Sequence, residues 1–427
     1  MTMFLFVASL LGAVALGVPI AFALLASGIL LMIHMDVFEA TIVAQYTIEG
    51  ADSFPLLAIP FFMLAGEVMN AGGLSRRIVN LAMALVGHVR GGLGYVAIFA
   101  AVILASLSGS AVADTAAIAT LLLPMMVQAG HEKPRAAGLI CSAAMTAPII
   151  PPSIPFVIFG VAANLSIGKL FLAGIVPGLM LAAAIALVWS QVARRENVTP
   201  LPRATWGQAL QAFVDAVWAL GLPFIIVFGL RFGWFTPTEA AVVAAVYALF
   251  VAVVVYREVT ARQLYVVFFN AAQTSSIIMF LVAASMVSAW LITIAEVPAQ
   301  FAALLEPLLG SETLLKLAIM ALLIVLGTMM DAAPIILIMT PILMPIIKVA
   351  GIDPYYFGVL LVVNVTIGLI TPPVGSVLNV TAGVSRLRME QVVGGVMPFL
   401  LAQFAVLLLI TVFPSIVLVP LRFLTGG

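Results

Sequence analysis

Two short clusters of small and oxygen-bearing residues interrupt apolar stretches of this 427-residue sequence. Ser106, Ser108, Gly109 and Ser110 form the first, with Asp114 one turn on; Gly327, Thr328 and Asp331 form the second. A further interruption follows each. Thr146, Ala147 and Pro148 precede Pro151-Pro152, and Asn364, Thr366, Gly368 and Thr371 precede Pro372-Pro373. Hydroxyl, amide and main-chain carbonyl oxygens are the ligands a small hard cation takes. A helix start with free N–H groups suits a carboxylate instead. Proline adds free carbonyls, because it lacks an N–H and disfavours helix in the residue before it. The expected chemistry is cation binding at one site per half, with sodium the simplest ion. Site 1 would draw on Ser106, Ser108, Gly109, Ser110, Thr146, Ala147 and Pro148. Site 2 would draw on Gly327, Thr328, Asp331, Asn364, Thr366, Gly368 and Thr371. Ser110, Asp114, Pro151, Pro152, Asn364, Pro372 and Pro373 are the candidates for meeting a carboxylate substrate.

The two halves share a register. An offset of 221 sets Pro124 on Pro345, Gly130 on Gly351, and Pro151-Pro152 on Pro372-Pro373. Breaks at membrane depth are costly, since a freed backbone group has no water to turn to. Matched breaks in two halves mark an ion and substrate site at a repeat interface, the pattern of a secondary transporter. Lengths say what positions the clusters. Residues 93–107 make about 22 Å of helix, too short for a hydrocarbon core of roughly 30 Å. An 18-residue apolar stretch, 111–128, then runs back; residues 313–327 and 333–350 repeat the plan. Two hairpins that each enter and leave on one side fit these lengths, each facing a proline-broken helix. Four ordinary spans with glycine-rich turns are the competing reading.

Composition sets the setting. Hydrophobic residues make up 64% of the chain and charged residues 8%, against roughly 25% charged in a soluble domain. The 17 acids and 17 bases cancel, so no basic face points to nucleic acid. Continuous apolar runs argue for an all-α polytopic membrane protein over a β-barrel. Apolar residues 3–33 exceed a signal-peptide core and are expected to form the first membrane element, with a kink or break at Pro19. Cys141 is the only cysteine and is expected to be an inert buried side chain. Arg194, Arg195 and Arg203 place the polar connection 194–211 in the cytoplasm, with Arg257 and Arg262 on the same side. The turn near Gly233–Pro237 is then periplasmic, and Thr236, Pro237 and Glu239 form a helix start. His34, His88 and His131 fall in expected loops without metal-ligand spacing, and no nucleophile–base pair or GxxxxGK[ST] loop occurs. No enzyme and no directly ATP-driven pump is expected.

Asp114 and Asp331 are acids in apolar runs, each following a hydroxyl within one turn. Intramembrane acids are functional suspects; stabilisation of a first helical turn by the helix dipole is the rival reading. Asn364 needs a partner in its apolar run, whereas Met125-Met126 and Met329-Met330 suit packing.

SLSGSAVADTAA, APIIPPSIPFVIFG, WFTPTEAA and ITPPVG, in that order, resemble the large membrane subunit of TRAP transporters, the DctM-like large permeases of tripartite ATP-independent periplasmic systems. The resemblance covers essentially the whole chain. It implies two inverted-topology repeats, each with a re-entrant hairpin and a broken helix, in an ion-transporter-superfamily elevator fold. The expected organisation is an N-terminal repeat over 1–193 with its hairpin at about 93–128 and broken helix at about 135–163. The connection 194–211 follows, then scaffold helices and a C-terminal repeat over 212–427, with a hairpin at about 313–350 and broken helix at about 355–384. It further implies sodium-coupled uptake of an organic acid, such as a dicarboxylate or sialic acid, at a bacterial or archaeal inner membrane. Its partners would be a small four-helix membrane subunit, expected on a separate chain because no such segment precedes residue 1, and a periplasmic substrate-binding protein. No cofactor beyond the coupling sodium ion is expected. The alternative is a standalone sodium-coupled divalent-anion or citrate carrier that needs no binding protein.

Overall fold

The computed structural model describes residues 2–196, 198, 200–305 and 310–426. Among them the chain is all-helical, with no strand. Helices α1 (Thr2–Ala15) and α2 (Ile20–His34) are separated at the residues before Pro19, as expected. Helix α3 (Ala40–Ala51) was not legible as an apolar stretch, because Gln45, Thr47 and Glu49 dilute it. A 3₁₀ turn at Phe54–Leu57 leads into α4 (Ala58–Ala71), followed by α5 (Leu74–Val86). Next come α6 (Gly92–Ser108), α7 (Ala111–Gln128), α8 (Lys133–Ala143), α9 (Ile154–Ala163) and α10 (Ile167–Arg195). The connection expected at 194–211 is described except at residues 197 and 199.

The second half holds α11 (Trp206–Arg231), α12 (Pro237–Phe250), α13 (Ala261–Ile294), α14 (Val297–Leu305) and α15 (Glu312–Gly327). It closes with α16 (Ala332–Val349), α17 (Pro354–Gly368), α18 (Ser376–Ser385), α19 (Met389–Val412) and α20 (Ser415–Thr425). Of the apolar element expected at 298–309, residues 306–309 lie outside the described residues. The continuous apolar stretch at the C-terminal end is two helices, broken at Phe413-Pro414. Among the described residues, eight segments are long and apolar enough to cross a membrane.

Local chemistry sets the boundaries. Thr236 and Glu239 form the expected capping box at the start of α12, and Thr205 and Thr260 cap α11 and α13 in the same way. Gly109, at φ +59°, ends α6, and Ser110 caps α7 by accepting from the Ala113 N–H. Asp353 takes two backbone N–H groups at the start of α17.

Helix α10 acts as a ruler for the hairpins, being 29 residues and about 43 Å long. At its C-terminal end, Arg90, just before α6, donates to the carbonyls of Arg194 and Glu196, and His131, just after α7, lies 2.6 Å from Glu196 Oε2. Both ends of the first hairpin therefore meet one place. At its other end, the Ser166 N–H points to the Tyr355 hydroxyl at the start of α17. That start follows α16 directly, and Lys316 of α15 sits 5.4 Å from the Tyr356 ring. The second hairpin thus opens at the opposite end of α10 from the first.

The packing is reciprocal. Helix α7 lies on α18, and α16 lies on α9, so the returning arm of each hairpin packs on the second piece of the other half's broken helix. Helices α4, α5, α11 and α12 form a neighbouring layer, with α13 reaching from α2 and α3 across to α16.

Candidate functional site

In the first half, the hairpin tip rests on the helix break. A Cβ on Gly109 would come 3.0 Å from the Pro152 carbonyl oxygen and 3.3 Å from the Ile154 nitrogen. Glycine is required there both for the left-handed turn and for this close approach. Beneath the tip, Ser108 Oγ donates to Asp114 Oδ1 at 2.5 Å and accepts from the Ser110 N–H at 3.1 Å. Asp114 is 2% exposed, and its Oδ2 has no partner among the described residues. A buried carboxylate oxygen left in that condition is costly, so the site suits an ion or a donor. Residues 141–160, which include the whole break, are buried. Helix α8 passes through a 3₁₀ turn at Ala144–Thr146, and Thr146 Oγ1 donates to the Ala143 carbonyl. Ser153 caps α9 and turns its hydroxyl onto the Pro148 carbonyl.

The second half has the same plan with closer backbones. A Cβ on Gly368 would lie 2.6 Å from Gly327 Cα, so α15 and α17 touch main chain to main chain. The Gly375 N–H donates to the Thr328 carbonyl at 3.1 Å, fastening the tip to the break. Asn364 is fully buried, and its Nδ2 donates to the Met320 carbonyl of α15 at 3.0 Å. Its Oδ1 has no partner among the described residues. Both double-proline bonds, Pro151-Pro152 and Pro372-Pro373, are cis.

The structure thus gathers Ser108, Gly109, Ser110, Asp114 and the Pro152 region at one place, and Gly327, Thr328, Asn364, Gly368 and the residues before Gly375 at another. Several hydroxyls turn onto their own helices. Ser106 donates to Ile103, Thr328 to Val325, Thr366 to Val362 and Thr371 to Ile367, which leaves their lone pairs for a ligand. Asp331 differs from the sequence picture: it is exposed and stands at the N-cap of α16 without a side-chain cap bond. The Thr328–Asp331 capping-box interval forms no box, because the Thr328 hydroxyl is committed to the preceding turn. Pro151 and Pro152 are buried, whereas Pro373 is exposed. Ala147 is buried beside Ala105 and Ile150.

Sequence reasoning missed three contributors. His131 is not a solvated loop residue but is buried against Glu196. Ser153 could have been found as a helix cap ahead of a proline. Gln403, fully buried in α19, gave the same signal as Asn364, an amide in an apolar run.

Residues 7–416 match the family described as "Tripartite ATP-independent periplasmic transporter, DctM component". The chain is similar to the 2,3-diketo-L-gulonate TRAP transporter large permease protein of Escherichia coli K12, at 55% identity over 99% of this chain and 100% of that protein. It is also similar to the sialic acid TRAP transporter large permease protein of Vibrio cholerae, at 35% identity over 98% of each. Among solved structures, the YdaH transporter of Alcanivorax borkumensis shares the fold, with a TM-score of 0.67 and 15% identity over 88% of each chain.

Proposed function

Because the chain belongs to the DctM family, the large permease component of tripartite ATP-independent periplasmic (TRAP) transporters, we propose that it takes up an organic acid on a sodium gradient. One observation carries this reading. Two hairpins open toward opposite ends of α10, and each tip rests on the break of its own half beside a buried oxygen without a partner, Asp114 Oδ2 or Asn364 Oδ1. Inverted-topology repeats generate that arrangement, and a site at their interface serves alternating access.

Sodium is the proposed coupling ion. Site 1 uses the tip 106–110 and the break at Thr146–Pro148; site 2 uses Gly327, Thr328, Asn364, Thr366, Gly368 and Thr371, with Asp331 at its rim. The donor sets are hydroxyl, amide and carbonyl oxygens, which fit a hard monovalent cation. The substrate carboxylate meets the start of α7 at Ser110, where helix N–H groups carry positive partial charge. Sugar-acid names among the relatives support an acidic cargo. In an elevator mechanism, α6–α10 and α15–α19 travel together against α4, α5 and α11–α13. The opposed hairpins and the reciprocal packing of α7 on α18 and α16 on α9 support that division. The positive-inside rule supports a cytoplasmic face at Arg194–Arg203, and the family supports a bacterial or archaeal inner membrane. The proposed partners are a small membrane subunit and a periplasmic substrate-binding protein.

Reconstituted proteoliposomes test the proposal. Uptake of a labelled sugar acid requires an inward sodium gradient, the small subunit and the binding protein. Equal uptake without sodium defeats the coupling reading, and robust uptake by this chain alone favours a standalone carrier.

A further inference from the structure

We propose that Gln403 is a positioning residue for the first cation site, holding the last turn of α8 in the shape that presents its carbonyls at the break. The inference rests on the cation-coupled reading above and deepens it. Gln403 lies mid-way along α19, fully buried, and its Nε2 donates to the Ser142 carbonyl at 3.0 Å. Ser142 precedes the 3₁₀ turn Ala144–Thr146 that opens the break. Carbonyls in the final turn of a helix lack the regular intrahelical donor, and here side-chain groups join the turn's own N–H groups in meeting them. Ser142 takes the Gln403 amide, Ala143 takes the Thr146 hydroxyl, and Ala144 takes the Ala147 N–H. Only the first of these donors comes from outside the broken helix.

The second half has an equivalent device built differently. With the 221-residue offset, Asn364 falls on Ala143, the neighbour of Ser142. In each half, then, one fully buried amide meets the broken helix within one residue of the same register. Each donates to a main-chain carbonyl across a helix–helix contact, and each has its oxygen unpartnered among the described residues. In the second half the broken helix supplies the amide and reaches outward to α15. In the first half an alanine occupies that position, and α19 reaches inward. Helix α19 is well placed to do so without play. Gly395 and Gly138 bring it against α8 so closely that a Cβ on Gly395 would collide with the Pro134 carbonyl.

In the proposed role the amide acts through the Ser142 carbonyl, so its loss alters affinity at site 1 through geometry rather than through a lost ligand. The test uses the complete transporter in proteoliposomes, with sodium activation of uptake measured for each variant. Gln403→Met keeps the volume and removes the donor. It is expected to raise the half-activating sodium concentration about fivefold, the scale of one lost hydrogen bond to a buried carbonyl, with the rate at saturating sodium little changed. Gln403→Glu, which puts an acceptor where the donor was, shifts the curve in the same direction and serves if the first variant fails to assemble. Ser27→Ala removes another buried hydroxyl without a partner, on α2, and leaves the curve in place. A sodium-activated wild type with superimposable curves for Gln403→Met or Gln403→Glu overturns the inference alone. A wild type indifferent to sodium overturns the coupling reading and the inference with it.

Discussion

At the first hairpin, every residue from Cys141 to Gly160 is buried, and Asp114 lies beneath the tip on its serine partner. At the second, Met329, Asp331, Pro373 and Val374 are exposed at the corresponding place, and the buried polar group is a neutral amide. The two halves therefore place their buried polar groups at different positions, Asp114 on the hairpin's returning arm and Asn364 on the broken helix. A buried acid is tolerated at membrane depth where protein surrounds it and a donor meets it; Asp114 has the surrounding protein and the Ser108 hydroxyl. The second half keeps its acid at the rim and puts Asn364 inside. The difference teaches that the two breaks are not interchangeable copies: one acid is buried beneath its tip, and the other stands exposed at a helix start.

The sharpest way to break this comparison is to neutralise the acids one at a time. Asp114→Ala is expected to lower uptake at least about a hundredfold, on the scale of removing one partner from a buried charged contact. Asp331→Ala leaves the rate within about threefold, as surface changes do. Comparable losses in both variants, measured as initial uptake rates, would erase the asymmetry. Asp114→Asn keeps a hydrogen-bonding group for Ser108 while removing the charge, and separates the two contributions.

Backbone approach gives the next largest effect. Gly368→Val drives a side chain into Gly327 Cα, and the expected result is a lower melting temperature and poor assembly, with a cost of about 1–3 kcal/mol or more. Gly109→Ala meets the Pro152 carbonyl at 3.0 Å in a left-handed turn, costing about 1–2 kcal/mol. If the second substitution proves the worse in a thermal-shift assay, the first tip is the tighter joint. Asn364→Ala follows, raising half-activating sodium about tenfold through loss of one buried hydrogen bond and one candidate ligand. Thr328→Ala shifts it less, because the Thr328 hydroxyl is already committed to Val325 and its main-chain carbonyl, not its side chain, holds Gly375.

The smallest effect belongs to a contact outside both sites. Glu258 accepts from Arg77 at 2.7 Å, and that hydrogen bond, with the charge of Arg77 and Arg76, holds its carboxyl below the usual carboxylate range. A depressed folded-state pKa stabilises the protein above the unfolded value of 4.5 and is lost as pH falls through the folded value. Glu258→Gln should cost less than about 1 kcal/mol near neutral pH, since the pair is partly exposed. Its melting curve should approach that of wild type only as the pH falls from 4.5 through the lower folded value, while its sodium activation stays unchanged.

Much of this architecture was legible in the sequence because it is written in length and punctuation. The ends of α7 at Gln128, α15 at Gly327 and α17 at Gly368 fall where apolar runs meet glycine or polar residues. The paired prolines announced the breaks. What stayed hidden depends on tertiary contact. Helix α3 carries Gln45 and Glu49, and it is helical through packing on α13 rather than through an apolar run. The 221 offset already set Asp331 on Ser110 rather than on Asp114, but that one is buried and the other exposed was invisible, since both follow hydroxyls near helix starts. Gln403 and His131 were passed over because their partners, Ser142 and Glu196, are 261 and 65 residues away.

Glu196 gathers both ends of the first hairpin at the close of α10, and only nine residues, 197–205, separate it from the start of α11. Fully extended, nine residues span at most about 30 Å. The chain is thus a leash of fixed length between a hairpin-bearing helix and its neighbouring layer. In the proposed elevator, the covalent backbone would set an upper limit on any stroke of α10 past α11, and shortening this segment residue by residue is expected to lower uptake.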